Sequence, residues 1–428
     1  MKRIILIVAT IVLMLIIFIY ISLHSTSKEF ETCEILGYND MEEIDFKKHD
    51  SVLIAASSLY EGDMLKEIIQ GENYRDVWSA PIKVPVVFLD TLMGGMKIIK
   101  EGGGKQTHSL RLKAKNGVVY TIRSVNKDPK AFVPEYARAL DIQNIVVDGI
   151  SAQHPYAALV VAELAQAAEI LHTHPKIIFV PKEAFPEKYK KKYGNRLYLL
   201  EYETEGEVNW TNYKNVVEIL DTKHLQELKM EHPDKVFIDE NIFVKNRLFD
   251  LLIGDWDRHA KQWGWVVVKK DSLFTAIPLA GDRDNAFFNI NGLIPSIISN
   301  KNIQPELRPF DEKIDYLDGL VRPVDTYFLN ETPQEIFIEE AKKLQTKLTD
   351  KEIYKALKSW PDTIYKLNGD EIAKKIISRK NNLVNYARAF KKILDTRELL
   401  TEPLMGSEDI DISDDLVKCF NCKTSRMQ

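Results

Sequence analysis

Two short acidic clusters have the residue types and spacing for chemistry. The first is Gly254-Asp255-Trp256-Asp257-Arg258-His259, followed by Gln262-Trp263-Gly264-Trp265. The second is Gly281-Asp282-Arg283-Asp284-Asn285. Carboxylates and an amide in this pattern suit divalent-metal phosphate chemistry. One carboxylate orients a hydroxyl nucleophile, while another, with an amide, holds magnesium against the phosphates of a nucleotide. The same residues have a second use, as a polar knot that braces the surrounding elements.

The elements around these clusters can be read from periodicity. Apolar residues Phe243, Leu248, Phe249, Leu251 and Leu252 recur at helical spacing, which predicts a helix over 242–253. Gly254 suits its left-handed C-terminus. Strands are expected over 263–268 and 273–279, joined by the polar turn Lys269-Lys270-Asp271-Ser272. If these strands pair, both acidic clusters fall on one side of the hairpin.

A second stretch complements the first. It reads as a strand at 97–100, a loop Gly102-Gly103-Gly104-Lys105-Gln106-Thr107, a strand at 109–113, an Asn116-Gly117 turn and a strand at 118–125. The three glycines leave backbone N–H groups free to approach phosphate oxygens, and Lys105, Gln106 and Thr107 add donors. No helix follows the loop, so it is not a Walker loop. It resembles the glycine-rich hairpin over ATP in kinase folds. The third strand is then expected to carry a phosphate-binding cation, and Arg123 stands there, with Lys127 following.

The acidic stretch resembles the catalytic segment of atypical kinases: lipid kinases with an Asp-Arg-His core, HipA toxin kinases, spore-coat CotH kinases and the secretory-pathway casein kinase. That resemblance implies Asp257 as the catalytic aspartate. It places Gln262 where those kinases have a metal-binding Asn or Glu, and Asp282 or Asp284 as the second metal ligand. Gln262 and Arg123 both depart from the usual residues. The implied cofactors are ATP or another nucleotide, with Mg²⁺ or Mn²⁺.

The chain has 428 residues, 45% of them hydrophobic, enough for one large or two-lobed domain. A net charge of −5 gives no reason to expect nucleic acid as a partner. Three cysteines make no disulfide scaffold, and the lone pair Cys419 and Cys422 lacks the second pair of a zinc ribbon. Lys2-Arg3 precede twenty residues without charge or proline, 4–23, long enough to span a bilayer. The basic residues favour a cytoplasmic N-terminus, so the domain is expected in the periplasm or outside, held to the inner membrane by one pass. Secretion after signal-peptide cleavage is the alternative.

Further along, helices are expected over 64–70, 134–142, 155–171, 333–348, 350–359 and 370–394, and strands over 51–58, 177–181 and 196–203. Leu197-Tyr198-Leu199-Leu200-Glu201-Tyr202 falls where an inter-lobe hinge would take the base of a nucleotide on its backbone. Glu163 and Glu169 read as a solvated face in preference to partners of the phosphate-binding cation. Residues 51–395 are also similar to a bacterial envelope domain usually found between a metallophosphoesterase domain and an outer-membrane assembly barrel. The similarity rests on Tyr74-Arg75-Asp76-Val77-Trp78, the glycine loop, Arg123-Ser124-Val125-Asn126-Lys127-Asp128-Pro129 and the two acidic clusters.

The expected architecture is α+β: a two-lobed, atypical-kinase-like domain after an N-terminal transmembrane helix. Its parts are an anchor (1–23), a stalk (24–50), a small lobe with the glycine hairpin (51–204), a helix-rich large lobe (205–396) and a disordered tail (397–428). The expected activity is transfer of phosphate from a nucleotide to a hydroxyl acceptor, protein being one candidate. The alternatives are a degenerate kinase-fold scaffold in envelope biogenesis and a metal-dependent phosphohydrolase.

Overall fold

A computed structural model of the protein describes residues 1–24, 33–38, 40–102, 107–127, 133, 135–139 and 144–422. Its class is α+β. The strands are β1 (Glu34–Ile35), β2 (Ser51–Ala55), β3 (Ile82–Pro85), β4 (Met96–Gly102), β5 (Ser109–Ala114), β6 (Val119–Ser124), β7 (Lys176–Val180), β8 (Arg196–Tyr202), β9 (Val216–Asp221), β10 (Val236–Ile238), β11 (Trp263–Lys270) and β12 (Leu273–Ala280). They form three sheets in the orders β1-β2-β3, β4-β5-β6-β8-β7 and β10-β12-β11-β9.

The five-stranded sheet is antiparallel throughout. Side chains alternate across a strand. Leu110, Leu112, Tyr120, Ile122, Tyr198 and Leu200 therefore fill a core on one face. The alternate positions Ser109, Arg111, Thr121, Arg123 and Glu201 turn to the other face, toward a cleft. Register sharpens this row: Arg111 lies opposite Thr121, and Thr121 opposite Glu201. The expected glycine hairpin is present at β4–β5, with Gly117 at φ 88° in the next turn. Gly103, Gly104, Lys105 and Gln106 lie outside the described residues.

The second site-bearing unit is the β11–β12 hairpin. Trp263 pairs with Ala280 and Lys270 with Leu273, so the chain enters and leaves the hairpin at one end. Both acidic clusters are therefore neighbours, as the expected pairing requires. The helix Glu240–Ile253 leads into the first cluster. Asp239 caps its start by accepting from the Ile242 N–H, and Gly254 ends it in the left-handed conformation. Its side chains Phe243, Val244, Leu248, Phe249, Leu251 and Leu252 are buried in the main core.

Three boundary expectations are corrected. The polar stretch expected as a stalk is part of the folded body from residue 33 onward. Ile35, Ile44 and Phe46 are buried, and Asp40 and Asp45 cap two short turns. The tail expected to be disordered packs on the body through Leu404, Ile412, Leu416 and Phe420, whose burial its acidic average conceals. Cys419 and Cys422 form a disulfide there. The helix expected over 370–394 is two, Asp370–Asn381 and Leu383–Leu394, interrupted at Asn382. The Asn381-Asn382 pair is a poor helix former. The break also coincides with Arg379, which is buried and donates to the Leu251 carbonyl at 2.8 Å.

Lys2–Leu23 is long and apolar enough to cross a membrane. Among the described residues the second stretch with that property, Asn144–Ala167, is mostly buried in the core.

Candidate functional site

The two units face each other across a cleft of about 380 Å³. Gly102, Thr107, Ser109, Arg111, Thr121 and Arg123 form its roof, residues 201–205 its back, and residues 260–263 with Gly281 and Asp282 its floor. The back is the end of β8 and the segment after it, which joins the two sheets. Two glycines let it come close to the hairpin. A Cβ on Gly264 would lie 2.2 Å from the Thr204 carbonyl oxygen, and one on Gly281 2.9 Å from the Thr204 methyl.

Across the cleft, cations from the roof meet carboxylates from the floor. Arg123 pairs with Asp282, and Lys127 Nζ lies 2.8 Å from Asp284 Oδ2. Burial opposes ionisation of Asp282, yet Arg123 and Lys127 hold its pKa down to about 2. Asp284 moves the other way: burial and the neighbouring Asp282 charge raise it, against Lys127 and Arg123. Burial works against the Arg123 charge, and Asp282, Glu201 and Asp284 overcome it.

Beneath this pair lies a dense ionic brace. Arg258 is fully buried. Its guanidinium donates to Gln262 Oε1 at 2.9 Å, the Gly281 carbonyl at 2.9 Å and Asp255 Oδ2 at 3.3 Å. Its Nε lies 3.4 Å from Asp250 Oδ2. Asp250 in turn receives Arg247 and Arg283 at 2.9 and 3.0 Å. This one arginine thus ties the helix end, the first acidic loop and the Gly281–Asp282 backbone together. Asp255 is pushed up to about 8, by burial above all, with Arg258 opposing and the charges of Asp250 and Asp257 adding. Its Oδ1 accepts from the Asp257 N–H at 3.2 Å, which fixes the turn that presents Asp257.

The sequence-derived site residues divide accordingly. Gly102, Thr107, Arg123, Gln262 and Asp282 line the cleft. Lys127 and Asp284 form an ion pair beside it. Asp257 stands outside the cleft lining, partly exposed, with its Oδ1 3.9 Å from His259 Nε2. Gly103, Gly104 and Gln106 fall outside the described residues. Glu163 is exposed, and Glu169 pairs with Lys347 at the surface, in keeping with a solvated face.

Three features escaped the sequence reading. Buried Glu201 faces Arg123; burial raises its pKa, and Arg123 and Thr173, which donates to it at 2.6 Å, offset that. Met405 and Gly406, from the supposed tail, form part of the cleft wall, and a Cβ on Gly406 would collide with the Lys261 side chain at 2.7 Å. Glu205, Asp221 and His224 each bring one ligand atom to within 4.8 Å of the others. Asp221 there is already engaged, capping the helix Thr222–Glu231 and bonding His224 at 2.7 Å.

The carboxylate and amide oxygens of Asp282, Asp284 and Gln262 are hard donors, and Asp282 is ionised across the physiological range. Donors of this type suit a hard divalent cation such as magnesium, and here each is engaged by a cation of the chain, Arg123, Lys127 and Arg258.

No family model matches the chain, and no curated protein matches it in sequence. Among solved structures, the chain is similar to the Helicobacter pylori proinflammatory kinase CtkA. The identity is 12%, over 69% of this chain and 96% of that one, with a TM-score of 0.36. It is also similar to the Shewanella oneidensis MR-1 toxin–antitoxin complex of HipA, HipB and operator DNA, at 10% identity over 74% and 68%, TM-score 0.26. A Golgi casein kinase matches at 13% identity over 88% and 91%, TM-score 0.32. At these scores the roles of individual residues rest on the geometry of this chain.

Proposed function

We propose that the cleft binds a nucleotide with Mg²⁺ or Mn²⁺ and transfers its terminal phosphoryl group to a hydroxyl acceptor, in the manner of an atypical kinase. The observation that supports this reading is the meeting of Arg123 with Asp282 across the cleft, with Lys127 and Asp284 paired beside it. Without ligand, the cations and carboxylates neutralise one another. With a metal–nucleotide complex, each side gains the partner it needs: phosphates for Arg123 and Lys127, metal for Asp282, Asp284 and Gln262. The metal would neutralise charge on the phosphates.

The chain's own residues supply the rest. The N–H groups of Gly102–Gly104, with Gln106 and Thr107, cover the phosphates. Residues 201–205 flank the base. Asp257 orients the acceptor hydroxyl and accepts its proton. Arg258 holds Gly281 and Asp282 in place through their carbonyls. The lobes divide near residue 204, the helix 4–23 anchors the chain in the inner membrane, and the domain works in the periplasm or outside.

A catalytically inert, kinase-fold scaffold is the second reading. Gln262 favours it, because its side-chain carbonyl accepts from Arg258 at 2.9 Å and the residue is only 7% exposed. One assay separates the readings. Wild type and Asp257→Ala are incubated with γ-labelled ATP, metal and candidate acceptors, and ATP binding is measured in parallel. Binding by both, with label transferred only by wild type, supports the kinase. Binding without transfer by either assigns the scaffold. Release of label to water alone assigns a phosphohydrolase, and absence of binding with the fold intact leaves the carboxylates as a structural knot.

A further inference from the structure

The last turn of the apolar N-terminal helix is held against the folded body. Leu23 is buried, and its carbonyl accepts from Asn144 Nδ2 at 3.4 Å. Ser22 Oγ accepts from Gln70 Nε2 at 3.2 Å. Gln70 ends the helix Met64–Gln70, so this short helix sits at the base of the long one. A second short helix, Leu293–Ile298, packs beside it. Their ends meet backbone to backbone: a Cβ on Gly292 would lie 2.2 Å from the Gly71 nitrogen.

Both short helices bury one face and leave an apolar face open. Lys66, Ile69 and Gln70 point inward, with Lys66 donating to the Glu61 carbonyl at 2.8 Å. Met64 and Ile68, one turn apart, point outward at 76% and 61% exposure. Leu293, Ile297, Ile298 and Ile303 are exposed beside them. A cluster of large apolar residues left open to water marks a binding surface. Here it is continuous with a helix of bilayer length.

We propose that this face is a membrane-docking surface: Met64, Ile68, Leu293, Ile297, Ile298 and Ile303 lie in the interface of the same bilayer that the helix Lys2–His24 enters. The proposal rests on the spanning-helix reading and is independent of phosphoryl transfer. Asp63 and Glu67 border the patch, so apolar contact rather than attraction to anionic lipid must hold it. Docking would fix the body's orientation over the bilayer. It would also bring residues 285–303, which follow Asp284 directly, close to the membrane surface.

The test uses the full chain in nanodiscs of zwitterionic phosphatidylcholine with nitroxide-labelled acyl chains. Cys33 is buried and Cys419 is bonded to Cys422, so single introduced cysteines carry the fluorophore. Probes at Ile68→Cys, Ile297→Cys and Val12→Cys are compared with Leu273→Cys, an exposed position on β12. The expected result is at least threefold stronger quenching at Ile68 and Ile297 than at Leu273, unchanged in 0.5 M salt. Quenching at Val12 but not at Ile68 or Ile297 overturns the docking. Cross-linking between Ile297→Cys chains in its place assigns the face to a second copy and also overturns it. Quenching at Ile68 and Ile297 without Val12 refutes the spanning helix and, with it, docking on the bilayer that helix enters. No quenching at any position refutes both.

Discussion

Removing the buried guanidinium of Arg258 should cost more than any other single truncation in the site. Arg258→Ala removes a buried donor from the Gly281 carbonyl and the Gln262 side chain, while the Gln262 carbonyl keeps the Gly281 N–H at 2.9 Å. It also removes the cation nearest Asp255. Asp250 keeps Arg247 and Arg283, so its loss is partial. Each orphaned buried acceptor costs about 1–3 kcal/mol, and these terms overlap. Breaking a buried ion pair from one side costs about 3–5 kcal/mol, and that is the expected total. Arg258→Lys restores charge but not the planar fork and should recover less than half of it. Urea unfolding with an unchanged slope reads the loss directly. A loss below about 1 kcal/mol for Arg258→Ala would refute the brace, since ordinary surface changes reach nearly that size.

The remaining expectations concern single sites. Asp255 has its folded pKa raised from 3.8 to about 8, so the folded form keeps a proton that the unfolded chain releases. Stability from this group is therefore full below about pH 4 and lost as pH rises through about 8; Asp255→Asn should gain steadily on wild type across that range, and equal pH profiles would contradict this. Gly264→Ala places a Cβ against the Thr204 carbonyl and should cost about 2–3 kcal/mol in chemical unfolding, more than Ala at an open glycine such as Gly149. Phe420 is buried against Phe328, with ring centroids 5.2 Å apart, so Phe420→Ala should cost about 3 kcal/mol; a neutral result would return the tail to disorder.

The sequence made the local units legible where chemistry and periodicity agree. Gly254 after a helical apolar run, and two β-rich segments around a polar turn, specified the hairpin and hence the placing of the two acidic clusters at one end of it. Asn116-Gly117 did the same for the turn between β5 and β6. What stayed hidden depends on long-range packing. Glu201 reads as one more charge on a strand until β8 pairs with β6 and sets it opposite Thr121. Residues 397–422 have an acidic average, and the burial of Leu404 and Phe420 follows from a partner surface distant in sequence. Ile35, Ile44 and Phe46 are likewise too widely spaced among polar residues to announce a core. The Arg258 brace was legible in part: Asp255 and Gln262 lie three and four residues from it, where the polar-knot reading puts them, whereas the Gly281 and Asp282 carbonyls come from the far end of the hairpin.

The central claim is that Asp282 and Arg123 meet across the cleft in order to part around a metal–nucleotide complex. Calorimetric titration of ATP, with and without Mg²⁺, into wild type and Asp282→Asn tests it most directly. The account predicts that wild type binds ATP at least tenfold more tightly with Mg²⁺ than without, and that Asp282→Asn, still folded, loses this metal dependence. Equal metal dependence in the two proteins, or no binding of ATP by folded wild type, would contradict it.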